Sequence, residues 1–284
     1  SDDGARRLGT VTVSAQKREQ SLQDVPIAIS AVTAEDIERI QASSIQDLQN
    51  SIPNVTIQGQ DPTNLAFGIR GIADRSRNPG YENRIGVYID GVWVGRSVGA
   101  NALTLDVENV EILRGPQGTL FGKNTVSGAV NITTRKPDDE FGAFIRGQAG
   151  NSGLIGGTAG IDVPLSDTFR TKFTVSKRER NGFTEDVLSG VDYGNIDEFA
   201  ARAGAEWDIA ANTMASLSID MSENDFRPNI AESTADATAP ATFQVALDAK
   251  PEAYTRSQGA ALTVTHEFDN GYELTSITGL RSTT

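Results

Sequence analysis

The residues able to do chemistry are few and scattered. The single histidine, His266, cannot build a metal site by itself. The absence of cysteine removes a thiolate nucleophile, a Cys-ligated zinc and a disulfide framework. Asp61 and Glu82 are candidate cleft acids, but isolated carboxylates read equally as solvated ones. The stretch RGPQGTLFGK has the glycines and the lysine of a phosphate cradle without its spacing. Asn124 stands where such a loop needs Ser or Thr, and no GxGxxG pattern accompanies it. Glycines 115, 118, 122 and 128 instead suit tight turns and close backbone approach. One cluster remains: Arg75, Arg77, Tyr81 and Arg84 lie within ten residues. Arginines and a tyrosine can grip an anionic chelate or stack on a sugar. The same residues fit a solvated loop. No constellation here is catalytic, and no cofactor or metal is implied.

The elements that would carry such a cluster divide near Pro137. With 284 residues, 38% hydrophobic and 22% charged, the chain can bury a real core in one large or two ordinary domains. A net charge of -13 argues against general nucleic-acid binding. No run approaches the roughly 20 apolar residues of a membrane helix, and SDDGARRLG has no apolar leader core. Neither point excludes a β-barrel, whose alternation averages out as polar.

Before Pro137 the pattern is α+β. Val11 and Val13 alternate with Thr10, Thr12 and Ser14 in a short extended segment. It suits strand addition to a partner's sheet edge, although such a pattern is more often an ordinary edge strand or a frayed terminus. Thr33 followed by Asp36, with Ile37 and Ile40 behind, predicts a capped helix. A second helix fits 44–50, with Ile45 and Leu48 on one face and the Ile52-Pro53 step ending it. NVTIQG, LAFGIRGI and RIGVYIDGVWV read as strands.

After Pro137 the period is two. Phe199, Ala201, Ala203, Ala205, Trp207 and Ile209 share one face, and Arg202, Glu206 and Asp208 the other. Ala215, Leu217, Ile219 and Met221 oppose Ser216, Ser218 and Asp220. Phe169, Phe173 and Val175 oppose Arg170, Lys172 and Arg178, and Leu262, Val264 and Phe268 oppose Thr263, Thr265 and Glu267. A soluble sandwich also alternates. The loop lengths discriminate: turns near 166–167, 210–212 and 269–271 are short and fall on one end. Connections 181–195 and 226–254 are long and fall on the other, and only the turn near 151–153 departs from this sorting. That sorting is the outer-membrane barrel pattern. About seven strands are expected, against about 22 in plugged transporters. Trp207 suits an interfacial aromatic belt, or a sandwich core.

Residues 10–137 resemble the TonB-dependent receptor family. LRGPQGTLFGKNTVSGAVNITTRKP is similar to the family's plug signature, with Ser127 where many members have glycine and Thr125-Val126 in place of an alanine-containing pair. LAFGIRGI and VYIDGVWV match its two upstream elements in order and spacing, and GTVTVSAQKR resembles the TonB box. The resemblance implies an α+β plug domain followed by antiparallel transmembrane β-barrel strands, an incomplete barrel of about seven. The expected domains are a TonB-box segment over 1–18, a plug over 19–137 and the first part of the barrel over 138–284. It implies a bacterial outer-membrane location with plug and N-terminus facing the periplasm. Its partners would be TonB with ExbB-ExbD, outer-membrane lipid, an extracellular ligand and the remainder of the barrel. Thr10, Val11, Thr12, Val13, Ser14 and Ala15 would bind TonB. By analogy with the family's plug apices, Gln60, Asp61, Arg75, Arg77, Tyr81, Arg84, Trp93 and Arg96 would meet the ligand. Arg70 and Arg114 would pair with barrel acids. The implied activity is TonB-dependent uptake of a ferric siderophore, another metal chelate or an oligosaccharide. Two other classes compete: a passive porin or adhesin barrel with an accessory domain, and a secreted enzyme or carbohydrate-binding β-protein.

Overall fold

A computed structural model describes residues 12–13, 20–21, 27–42, 44–59, 65–73, 84–95, 105–230, 243–248 and 250–284. In chain order, β1 (Thr12–Val13) and β2 (Gln20–Ser21) form a two-residue antiparallel pair. Then come β3 (Ile29–Thr33), α1 (Ala34–Arg39), a 3-10 helix (Ile45–Ser51), β4 (Val55–Gln58), β5 (Ala66–Ile69) and β6 (Ile72–Ala73). β7 (Ile85–Ile89), β8 (Val92–Trp93), β9 (Val107–Arg114), α2 (Gly118–Phe121) and β10 (Gly128–Thr134) complete the N-terminal unit.

Local chemistry accounts for these elements. Thr33 caps α1: its hydroxyl accepts the Asp36 amide at 3.3 Å, and the Asp36 carboxylate reaches back to the Thr33 amide at 3.5 Å. Ser44 and Asp47 form the matching box for the 3-10 helix, with the Ser44 amide donating to Asp47 at 2.8 Å. The five-stranded sheet runs β3-β9-β10-β7-β8, antiparallel except for the parallel β7–β10 pair. β7 is buried at every position, as a strand covered on both faces requires. One face packs with Ile37, Ile45, Leu48, Ile57, Phe67 and Ile69 from the two helices and the β4-β5-β6 sheet. The other carries Tyr88, Leu113, Phe121 and Ala129, with the Tyr88 hydroxyl donating to the Phe121 carbonyl.

The glycine-rich run behaves as turn and packing chemistry. Gly128 has φ +152°, and a Cβ there would collide with the Leu113 carbonyl and lie 2.8 Å from Ile69 Cδ1. Gly118, by contrast, begins α2 with open space around it.

The second half is one antiparallel sheet. Its strands are β11 (Gly142–Gly150), β12 (Leu154–Ser166), β13 (Phe169–Arg180), β16 (Ile196–Ala210), β17 (Thr213–Phe226), β19 (Ala253–Glu267) and β20 (Glu273–Thr283), in that spatial order. Three short strands, β14 (Thr184–Asp186), β15 (Val191–Tyr193) and β18 (Gln244–Val245), form a small separate sheet from the two long connections. Among the described residues β11 has a strand neighbour only in β12, and β20 only in β19, so both edges are open. The alternation is physical: Phe173 pairs with Ala203 and Ile219 with Ala260 on the apolar face. That face stays uncovered, with Ile145 86% and Leu280 78% exposed. The opposite face is charged and cross-linked. Arg178 meets Glu198 at 2.6 Å and Lys172 meets Asp162 at 3.1 Å, both between directly paired residues.

Candidate functional site: the seam between the N-terminal unit and the sheet

The N-terminal unit lies against the polar face of the seven-stranded sheet, and the contact is built from turns. The β7–β8 hairpin turns at Asp90-Gly91, with φ +47° and +78°, the pair of left-handed residues a two-residue hairpin demands. This turn puts the Asp90 carboxylate at the sheet. It accepts the Thr134 amide at 2.9 Å, the Thr134 hydroxyl at 3.0 Å and the Ser218 hydroxyl of β17 at 2.8 Å. The same turn presses on β20: a Cβ on Gly91 would lie 2.8 Å from Ile277 Cδ1, and one on Gly279 would overlap Val92. The absence of a side chain at both glycines is what allows the approach.

A second turn carries Leu105 and Asp106. The Asp106 carboxylate, almost fully buried, accepts the Thr174 hydroxyl at 3.0 Å and lies 3.7 Å from Lys172 Nζ. The Leu105 carbonyl accepts a guanidinium hydrogen bond from buried Arg202 at 2.9 Å. Lys172 therefore sits between two acids, Asp106 of the N-terminal unit and Asp162 of its own sheet. A buried cation needs that pairing.

The connection leaving β10 is held residue by residue. Arg135 donates its amide to the Asp106 carbonyl at 2.9 Å and its guanidinium to Glu38 at 3.0 Å. Glu38 also takes Arg146 of β11 at 2.5 Å. Lys136 lies 3.7 Å from Glu206, and Pro137 covers Gly204. The Asp138 amide reaches Asp162 at 3.2 Å, and Asp139 pairs with Arg170. Among the described residues the joint is mainly polar and directional, with Val92 and Ile277 in apolar contact beside Gly91 and Gly279.

Arg114 is half-buried and donates to the Ser30 hydroxyl. Arg70 is exposed on a turn with φ +53°. Among the described residues neither makes an ion pair; the joint uses Asp106, Lys172, Glu38, Arg146, Lys136 and Glu206 instead. Thr12 and Val13 lie in β1, paired with Ser21 and Gln20, while Thr10, Val11, Ser14 and Ala15 lie outside the described residues. So do Gln60, Asp61, Arg75, Arg77, Tyr81 and Arg96. Arg84 and Trp93 are described, and both are exposed. No group of residues able to hold a metal occurs among the described residues. Alternation had put Lys172 and Ser218 on the polar face, but no sequence signal marked Asp90 or Asp106 as their partners.

Residues 21–129 match the family model described as TonB-dependent Receptor Plug Domain. Over those residues the chain carries a TonB-dependent receptor plug domain. The chain is 29% identical over 194 residues to the pesticin receptor of Yersinia pestis, covering 66% of this chain and 26% of that protein. It is 24% identical over 218 residues to the vitamin B12 transporter BtuB of Vibrio vulnificus, covering 70% and 35%. This chain thus spans about a quarter to a third of the length of these relatives. Its fold matches the ferric yersiniabactin uptake receptor FyuA from Yersinia pestis with a TM-score of 0.79 at 18% identity, over 90% of this chain and 41% of that one. The N-terminal unit is therefore a plug domain, and the seven-stranded sheet has the fold of the strands beside the plug in that receptor structure.

Proposed function

We propose that this chain supplies the plug and part of the barrel wall of a transporter that takes up a metal chelate across the outer membrane, driven by TonB. The observation that carries this reading is the joint itself. The plug is seated on the charged face of the wall by hydrogen bonds and ion pairs, while the apolar face is left for lipid. Hydrogen bonds to these charged groups contribute about 1.5–3 kcal/mol each, and water can take their place when the plug moves. A pull can therefore shift the plug against the wall without first breaking an extensive apolar interface between them. The open edges at β11 and β20 fit completion by further strands toward about 22, since lipid does not tolerate unpaired backbone.

The ligand class follows from the relatives' names, several of which are siderophore receptors, and from the Arg75, Arg77, Tyr81 and Arg84 cluster at a proposed apex. An oligosaccharide is the second reading, supported by the same tyrosine and arginines. Segment 10–15 is the proposed TonB contact, pairing by strand addition.

The test is binding of a GTVTVSA peptide to TonB, beside a peptide carrying Val11→Pro. Proline removes one amide donor from the added strand, so the variant is expected to lose at least tenfold in affinity. Equal affinities would defeat the TonB-box assignment. Energy-dependent uptake of radioactive iron by cells with the intact receptor, and none with Val11→Pro, is the matching expectation in vivo.

A further inference from the structure

The charged face of the sheet matches its cations with acids, with one accessible exception. Arg146, Arg170, Lys172, Arg178 and Arg281 each pair with a carboxylate. Arg202 has no acid, but it is buried and donates to the Leu105 carbonyl of the plug. Arg180 ends β13 on the same face, further along the strand than Lys172 and Thr174, which meet the plug. It is half-buried and makes no ion pair among the described residues. Glu198, the acid on the neighbouring strand, is already taken by Arg178 at 2.6 and 3.0 Å.

Three side chains converge on Gly194 beside it. The Arg180 Nη2 donates to the Gly194 carbonyl at 2.7 Å. A Cβ on Gly194 would overlap Asn229 Oδ1 and lie 2.8 Å from the Phe183 ring, and the residue has φ +78°, so only glycine lets the three meet. The Arg180 guanidinium lies 5.3 Å from the Phe183 ring centroid. Phe183 and Asn229 are exposed. Of the guanidinium nitrogens only Nη2 has an acceptor among the described residues, and Nε is buried without one.

A half-buried cation needs a counter-charge, and no described residue supplies it. A guanidinium fork fits the paired oxygens of a carboxylate, and an aromatic face steadies the cation in place. We propose that Arg180, with Phe183 and Asn229 beside it, is an anion-recognition site of the wall that takes a carboxylate or similar anionic oxygen group of the transported ligand. The inference rests on the uptake reading above and narrows it, because a neutral oligosaccharide offers no charge to answer Arg180.

Citrate serves as the anionic probe and maltose as the neutral one. Phenylglyoxal labelling of the full-length receptor in outer-membrane vesicles, resolved at each arginine by mass spectrometry, reads the state of the guanidinium. Arg180 is expected to react, and saturating citrate to slow it at least about tenfold by holding the fork. Maltose at the same concentration should leave the rate unchanged, and Arg227, paired with Glu252, should ignore both. An unreactive Arg180, protection by maltose, or no protection by citrate would overturn the proposal. Calorimetric titration of citrate into the solubilised receptor gives a second readout. Arg180→Gln is expected to weaken binding at least about tenfold. Arg180→Lys should fall in between, because lysine keeps the charge and loses the fork. Equal losses for the two variants would make Arg180 a structural prop. Neither readout involves TonB, so their failure with TonB-driven iron uptake intact would remove this site and leave the transport reading standing.

Discussion

Asp90 shows how much of the plug's seating rests on single side chains. It accepts three hydrogen bonds, two from Thr134 within the plug and one from Ser218 of the wall. Asp90→Ala leaves the Thr134 amide without its acceptor at the seam. Hydrogen bonds to a charged group contribute about 1.5–3 kcal/mol. The expected outcome is a loss of that order in the opening free energy at the Thr134 amide, measured by hydrogen exchange; unchanged protection would remove Asp90 from the joint. Gly279 supports a sharper test, because its role is purely steric. Gly279→Ala places a methyl group inside Val92, so the hairpin must shift away from β20. Overpacking of this kind costs about 1–3 kcal/mol. Val92→Ala in the same molecule is expected to restore most of the loss. Failure of the second change to rescue the first would show that the strain lies elsewhere.

Elements were legible where the signal is local. Thr33, Asp36 and the apolar stripe gave α1, Ser44 with Ile45 and Leu48 gave the 3-10 helix, and alternation gave the long strands. RIGVYIDGVWV, expected as a strand, is instead a hairpin that turns at Asp90-Gly91. What sequence could not supply was pairing at a distance. β14, β15 and β18 are two or three residues long, and β14 meets β18 across some sixty residues, so no periodicity announces them. The partners of Asp106 and Lys172 are set by how the plug sits in the wall, which leaves no mark on either segment. The α1 cap is the element where local reading makes a quantitative prediction. Thr33→Ala removes the acceptor of the Asp36 amide and is expected to cost about 1 kcal/mol, read as faster exchange at that amide alone. Burial pushes the Asp36 carboxyl up, but hydrogen bonds from Arg39 and Thr33 outweigh it and hold the group below the usual carboxylate range. A depressed folded value means the contribution is complete above about pH 4. It is lost as pH falls through the folded value. Exchange-based protection of α1 should follow that direction, and protection that rose on acidification would contradict it.

At the scale of the whole molecule, one sheet separates two environments. Its charged face carries the plug, and its apolar face carries Phe173, Ile219, Leu262 and Leu280 with nothing packed on them among the described residues. Near the short-turn end this face ends in Trp207, Phe268 and Tyr272, and Phe141 lies close by; amphipathic rings at that level suit a membrane interface. Near the other end it gives way to Lys177, paired with Asp197, and Arg256, paired with Glu223. An apolar band bounded by rings on one side and charge on the other is what a bilayer selects. A soluble sandwich would bury the whole face alike, without regard to height. The two cases differ in depth dependence. Ile219 lies mid-band and Ile209 at the short-turn end, and their exposures are equal at 47%. In a bilayer, arginine costs about 2–4 kcal/mol at the midplane and about 0–1 near an interface. Urea unfolding of the full-length receptor in phospholipid vesicles should therefore show a large loss for Ile219→Arg and a small one for Ile209→Arg. Since the two side chains start equally exposed, equal losses would mean that something other than lipid covers this face.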